Sequence, residues 1–109
     1  MSDVKLVLVT YPVGGENDKN VSALASMLIK EKLAACVNRI KNVESYYQWE
    51  GELNVDKEEQ LIIKTREGRI SELKKRLIEK HPYDVPEIII LDVEDGSDSY
   101  MDWVRKNTT

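Results

Sequence analysis

The spacing of hydrophobic residues at the start of the chain predicts one strand followed by one amphipathic helix. Residues 4–10 form a short apolar run rich in β-branched side chains, and residues 11–15, Tyr-Pro-Val-Gly-Gly, end it as a loop. Asn17 or Asp18 can cap a helix that continues to about Leu33. Its apolar residues recur with a 3.6-residue period and predict a face that packs on a sheet: Val21, Leu24, Ala25, Leu28 and Ile29.

The middle of the chain predicts a β-hairpin of unusual length. Its first arm covers residues 34–49, with a break or bulge near Lys41-Asn42. A tight reversal at Glu50-Gly51 leads into residues 52–65, which we expect the polar residues 56–58 to interrupt. Each arm exceeds about 35 Å at ~3.3 Å per residue, which is longer than the sheet of a small domain needs. We therefore expect the outer half of the hairpin to pack on something else.

Two helices and one strand follow the hairpin. Residues 69–80 predict a helix whose apolar face is Ile70, Leu73, Leu77 and Ile78. Residues 87–93 are the most strand-like run in the chain, and a new helix begins at residues 96–98, Gly-Ser-Asp. In that last helix the i, i+3, i+4 spacing predicts a packing face that holds the C-terminus: Tyr100, Trp103 and Val104.

The order of these elements is βαββαβ with an added C-terminal helix. The split βαβ arrangement has right-handed crossovers and places both helices on one face of the sheet. We therefore predict an α+β, ferredoxin-like sandwich with an antiparallel sheet in the order 4-1-3-2. We expect residues 1–109 to form a single domain.

Composition limits the classes of function and location. A chain of 109 residues is marginal as an isolated core, so oligomerisation would stabilise it. The formal net charge of -4 gives no attraction for phosphate backbones, and nucleic-acid binding is not expected. No apolar run approaches the ~20 residues that span a bilayer, so we expect no membrane association and a cytoplasmic location. The single cysteine excludes an internal disulfide.

Residues 81–87, His-Pro-Tyr-Asp-Val-Pro-Glu, hold the only histidine and two of the three prolines. Each proline fixes its own φ and pushes the residue before it toward extended geometry, so this connector between a helix and a strand is rigid. Two interpretations stay open. The segment either only ends a helix and starts a strand, or it is a preshaped loop that presents an imidazole and a phenol to a ligand.

Several segments together resemble the divalent-cation tolerance proteins called CutA. They span nearly the whole chain in the right order: residues 33–38 (Leu-Ala-Ala-Cys-Val-Asn), 45–51 (Ser-Tyr-Tyr-Gln-Trp-Glu-Gly), 63–65 (Ile-Lys-Thr), 81–83 with 85–87, and the pair Tyr100 and Trp103. The resemblance implies a ferredoxin-like subunit in an interlocked homotrimer, with long hairpins that reach across to neighbouring subunits. It also implies a link to copper and other divalent metals.

The predicted topology limits any metal site. It places His81 near Tyr11 and Pro12, whereas Cys36 lies at the opposite end of the sheet beside Lys64, roughly 20 Å away. These two residues therefore cannot share a metal within one subunit, and a Cys-His site would need Cys36 of a neighbouring chain. Copper(I) favours such soft thiolate and imidazole ligands.

The resemblance supplies few further ligands. Family members with a proposed copper site have a thiol and a second histidine at the positions that here are Val9 and Lys80. We therefore predict a weak or shared site for copper or another divalent cation, built on His81 with Glu or Asp side chains or with Cys36 of a neighbour. Candidate lining residues of a cleft between subunits are Tyr46, Trp49, Lys64 and Tyr83.

Three functions follow from this sequence. The first is a non-catalytic, homotrimeric protein of divalent-metal binding or tolerance, since no nucleophile-base pairing, zinc-protease motif or nucleotide loop is present. The second is a signalling trimer, similar to nitrogen-regulatory trimers, that binds a small molecule or nucleotide between subunits. The third is a scaffold that presents a surface to other proteins. No organic cofactor is expected.

Overall fold

The computed structural model describes residues 2–109. The chain forms strand β1 (Val4–Pro12), helix α1 (Asn17–Lys30), strands β2 (Cys36–Trp49) and β3 (Glu52–Arg66), helix α2 (Ile70–Lys80) after a single 3-10 turn, strand β4 (Ile88–Asp92) and helix α3 (Asp98–Lys106). The sheet is antiparallel, in the order β2-β3-β1-β4. This confirms the predicted element order and the predicted sheet order, read from the other edge.

The main core lies between one face of the sheet and helices α1 and α2. Because strand side chains alternate between faces, the odd-numbered residues of β1 and β3 point to the helices. Val7, Val9, Leu61 and Ile63 are fully buried there. The helices contribute Val21, Leu24, Leu28, Leu73 and Leu77. Ile29 and Ile78, which we expected on these helical faces, are 42% and 59% exposed because they lie on the flanks of the apolar stripes.

Helix α3 packs on the opposite face of the sheet. Its buried residues are Met101 and Val104, which form a second cluster with Val4 and Ala35. The predicted packing face is therefore wrong in part, because Tyr100 and Trp103 are exposed and stack on each other with ring centroids 5.6 Å apart. The i, i+3 spacing correctly placed these two aromatic residues side by side, but the helix is rotated so that Met101 takes the inward position.

The long β2-β3 hairpin makes the molecule elongated, with extents of 44 × 27 × 23 Å. Glu50 and Gly51 both have positive φ, as a two-residue type I′ turn requires. The predicted irregularity near Lys41-Asn42 is confirmed, since the pairing register shifts between Ile40 and Val43. The predicted interruption at residues 56–58 is wrong. Asp56 and Lys57 stay paired because they are exposed to solvent, and buried Glu58 is tolerated because its carboxylate accepts a hydrogen bond from the Tyr83 hydroxyl.

The face of the sheet that carries α3 is only partly covered. Beyond α3, its apolar side chains have no helix over them: Leu6, Leu8, Ile62, Ile89 and Leu91. Ile89 and Leu91 are 46% and 41% exposed. We call these five residues the open apolar face. None of the helices among residues 2–109 is long and apolar enough to cross a membrane.

Candidate functional site

A cleft of about 700 Å³ opens on the same side of the sheet as the open apolar face. Three segments form it: the end of β1, the outer half of the β2-β3 hairpin, and the connector before β4. Its lining residues are Thr10, Ser45, Tyr46, Tyr47, Trp49, Glu58, Pro82, Tyr83, Asp84, Val85 and Glu87. A cavity of this size lies within the range of small-molecule sites.

His81 holds the connector in place. Its ring is buried, with Nε2 2.6 Å from the carbonyl oxygen of Thr10, and its Nδ1 accepts a hydrogen bond of 3.1 Å from the backbone N–H of Tyr83. Because a carbonyl can only accept, Nε2 carries the proton and the ring is the neutral tautomer. The rings of Tyr11 and Tyr83 lie on either side, with centroids 5.1 and 5.0 Å away. Both ring nitrogens are therefore occupied within the chain.

Two tyrosine-carboxylate pairs lie on the cleft. The hydroxyl of Tyr83 donates to Oε2 of Glu58 at 3.0 Å, and the hydroxyl of Tyr47 donates to Asp56. Burial, reinforced by the bond to Glu58, raises the pKa of Tyr83, while the bond to Asp56 is the main cause that raises the pKa of Tyr47. Both phenols therefore stay protonated at neutral pH and act as hydrogen-bond donors.

The cleft is acidic. Glu58 is only 6% exposed, and Asp84 and Glu87 complete the carboxylates that line it. The amide of Gln60 positions Glu87 by donating to its Oε2 at 3.2 Å and to the Val9 carbonyl oxygen at 3.1 Å. Within residues 2–109, no lysine, arginine or histidine lines the cleft. The site is suited to a cation and opposes an anion.

The predicted site residues separate into two groups. Tyr46, Trp49 and Tyr83 line the cleft. His81 does not line it, because its ring is buried between Thr10 and the backbone of Tyr83. Cys36, a free and partly buried cysteine, pairs in register with Lys64. Lys64 lies four residues along β3 from Gln60, the residue paired with Thr10, which is about 13 Å at 3.3 Å per residue. Cys36 is farther still from Thr10, because it lies on the next strand.

Lys64 does not belong to the cleft. Its ammonium group donates to Oδ1 of Asn38 on the neighbouring strand, beside Cys36. The structure therefore brings Cys36 and Lys64 together, as the topology predicted, but keeps both away from His81. Across the described part of the chain, no three His, Cys, Asp or Glu side chains are grouped as a preformed metal site.

Glu58 is the buried cleft carboxylate that sequence reasoning missed. The polar run 56–58 was interpreted as an interruption of β3, which concealed the alternation that points Asp56 and Glu58 to one face. In register, Ser45 lies opposite Asp56 and Val43 opposite Glu58, so Tyr47 and Trp49 share this face. If residues 52–66 are treated as one uninterrupted strand paired with β2, the acidic side chains of β3 and the aromatic side chains of β2 fall on the same face.

Comparison with known proteins identifies the family. The sequence model of the CutA1 divalent ion tolerance protein family matches residues 6–107. This chain belongs to that family. The divalent-cation tolerance protein CutA of Thermus thermophilus is 39% identical over 104 residues, which cover 95% of this chain and 97% of the relative. The chloroplastic protein CutA of Arabidopsis thaliana is 44% identical over 103 residues, and this chain spans only 54% of its length.

Solved CutA structures share the fold described above. The Thermus thermophilus protein, at 39% identity, gives a TM-score of 0.89 over 97% of this chain and 99% of the other. CutA from Xylella fastidiosa, at 32% identity, gives a TM-score of 0.91 over 99% and 100%. The resemblance found in the sequence is therefore confirmed for both family and fold.

Proposed function

We propose that this member of the CutA1 family is a non-catalytic homotrimer that binds divalent cations in the acidic cleft. The open apolar face supports the assembly. Monomeric proteins rarely leave a large contiguous apolar patch in water, and this one covers the central strands of the sheet. On the other face of the outer hairpin, Leu53 is 71% exposed and offers a second apolar surface. Packing of two further copies against this face would bury both surfaces.

The assembly is tested by light scattering after size-exclusion chromatography. Ile89→Glu places a charge on the open apolar face and is expected to reduce the trimer to smaller species. Ile29→Glu is the matched control, because Ile29 has nearly the same exposure, 42% against 46%, on the helical side. The assembly proposal fails if the wild type is monomeric or if both variants behave alike.

The cleft supports weak metal binding through oxygen ligands. Glu58 and Glu87 line it, and carboxylate oxygens bind divalent cations. Residues 2–109 of one chain do not group three such ligands, so water or a neighbouring subunit would complete the coordination. Copper(II) stands highest among the first-row divalent ions in affinity for a given site, and we therefore expect copper to bind more tightly than zinc or manganese.

Metal titration by calorimetry tests this site. Glu58→Gln removes the buried negative charge and is expected to weaken copper binding by at least about tenfold, the equivalent of ~1.4 kcal/mol. Glu72→Gln serves as the control, because it removes an exposed charge from α2, on the other side of the sheet. Equal affinities of all three proteins would contradict a site in the cleft.

A site shared by Cys36 of one subunit and His81 of the next stays a prediction. His81 would bind a metal only by giving up the bond to Tyr83 or the bond to Thr10. Copper titration of Cys36→Ser, compared with Glu58→Gln, shows whether sulfur or oxygen supplies the ligand. A cytoplasmic location is likewise part of the proposal. It does not follow from the relatives, because the Arabidopsis protein is named as chloroplastic.

An effector-binding trimer is the second candidate function. The volume of about 700 Å³ favours it, because that space accommodates an organic molecule. The acidic lining opposes a nucleotide, whose phosphates need cationic partners. A thermal-shift screen with copper, zinc, ATP and ADP separates the two functions, because a ligand of the folded state raises its stability by mass action.

A further inference from the structure

The cleft contains an aromatic wall that a metal ion would not use. Tyr47 and Trp49 stand two residues apart on the same face of β2, and Tyr83 approaches from the connector. The three side chains are 40%, 54% and 38% exposed. Aromatic faces attract cations through the ring quadrupole, and tryptophan does so best, so grouped aromatic residues are the usual recognition surface for ammonium groups.

The buried carboxylate of Glu58 has no cationic partner. Its Oε2 accepts only the Tyr83 hydroxyl, and none of the salt bridges in residues 2–109 includes Glu58. Its neighbour on the strand, Glu59, is equally buried at 6% exposure but is paired with Arg39. Buried carboxylates are normally paired or bind a cation. Glu58 therefore lacks a counter-charge that a bound molecule could supply.

We propose that the cleft binds an organic cation, an amine or ammonium group on a short apolar body. The charged group would lie beside Glu58 and against the ring of Tyr83, whose hydroxyl bonds that carboxylate, with the apolar body in the remaining space toward Trp49. The size of the cleft exceeds what a metal ion needs, and its negative lining excludes anionic ligands. This proposal rests on the same cleft as the proposed metal site, but not on metal binding itself.

Choline is the probe, added to metal-free protein in the presence of a chelator. The protein contains two tryptophans, so Trp103→Phe leaves Trp49 as the only fluorescent indole and reports on the cleft. Saturable quenching by choline is expected. The neutral isostere, in which a tert-butyl group replaces trimethylammonium, is expected to bind at least about tenfold more weakly, because it loses the cation-π and carboxylate attraction.

Variants distinguish this proposal from the metal site. Glu58→Gln and Tyr83→Leu are expected to weaken choline binding about tenfold or more, while Glu72→Gln, at an exposed position of α2, leaves it unchanged. Tyr83→Leu should retain copper binding, since no aromatic ring is needed for it. Equal binding of choline and its isostere overturns the proposal, as does an absence of choline binding by protein that still binds copper. Loss of copper binding alone overturns only the metal site.

Discussion

The ring of His81 joins the end of α2 to the end of β1 through a contact of 2.6 Å between its Nε2 and the carbonyl oxygen of Thr10. With Nδ1 bound to the backbone of Tyr83, the single histidine fixes the connector that forms one wall of the cleft. The ring therefore has a structural role that is visible without any ligand.

Replacing His81 by alanine should destabilise the fold. The substitution removes a buried ring together with its contact to the Thr10 carbonyl, and we expect a loss of about 2–4 kcal/mol in the free energy of unfolding. Urea denaturation measures this loss. Lys80→Ala, at the exposed residue just before it, is the control and should change stability by less than about 0.5 kcal/mol. Similar values for the two variants would contradict the structural role of His81.

Tyr83 should titrate at higher pH than ordinary tyrosines. Burial and the bond to Glu58 raise its pKa above the unfolded value of about 10. Its contribution to stability is thus fully present below pH ~10 and is lost as pH rises through the folded pKa. Alkaline titration by near-ultraviolet absorbance should show late-titrating phenols, because the pKa values of Tyr11 and Tyr47 are raised as well, and Tyr83→Phe should remove one of them. Tyr100→Phe, at an exposed phenol, should leave that late component in place.

Arg39 should matter more than Asp18, although the two form an ion pair. Arg39 also contacts the carboxylate of Glu59, which is 6% exposed beside the bulge in β2, whereas the side chain of Asp18 is 72% exposed. Arg39→Ala leaves Glu59 buried without a partner and should destabilise by about 1–2 kcal/mol, because partial exposure of the guanidinium limits the effect.

Asp18→Asn is the comparison for Arg39→Ala and should have a clearly smaller effect in the same unfolding assay. The bond to Arg39 lowers the pKa of Asp18, so this small contribution should fade as pH falls through that lowered value. Equal destabilisation by the two substitutions would show that Glu59 does not depend on Arg39.

The Lys5-Asp92 pair should stabilise the attachment of β4 only within a defined pH range. Nζ of Lys5 lies 2.5 Å from Oδ1 of Asp92, and this bond lowers the pKa of Asp92 and raises that of Lys5. The contribution is present above the unfolded pKa of aspartate, about 3.9, and is lost as pH falls through the lower folded value. It is also present below the unfolded pKa of lysine, about 10.4, and is lost as pH rises through the raised folded value.

Unfolding of wild type and Asp92→Asn at several pH values measures this range. The difference in stability should be largest between about pH 4 and 10 and should shrink outside it. Glu94→Gln, two residues further on and exposed, should show no such dependence. A difference that stays constant down to pH 2 would argue that packing rather than charge explains the effect.

Hydrophobic periodicity was sufficient for the fold but not for the orientation of α3. The apolar runs of β1 and β3 and the stripes of α1 and α2 specify which faces meet, because strand and helix periods differ and each leaves one apolar side. In α3 the apolar and aromatic residues are spread around most of the helix, so their spacing does not show which of them are buried: Tyr100, Met101, Trp103 and Val104. Packing against Val4 and Ala35 selects Met101 and Val104.

By itself, the sequence determined the element order, the antiparallel ferredoxin-like sheet, the long hairpin with its bulge, and the family. These features depend on local pattern and on motifs that are contiguous in the chain. Only the tertiary structure decided that His81 is held by Thr10 and Tyr83 and that Glu58, not Lys64, belongs to the cleft. The physical reason is register: cross-strand pairing and the path of the connector determine which distant side chains share a face, and a shift of one residue would reverse every choice.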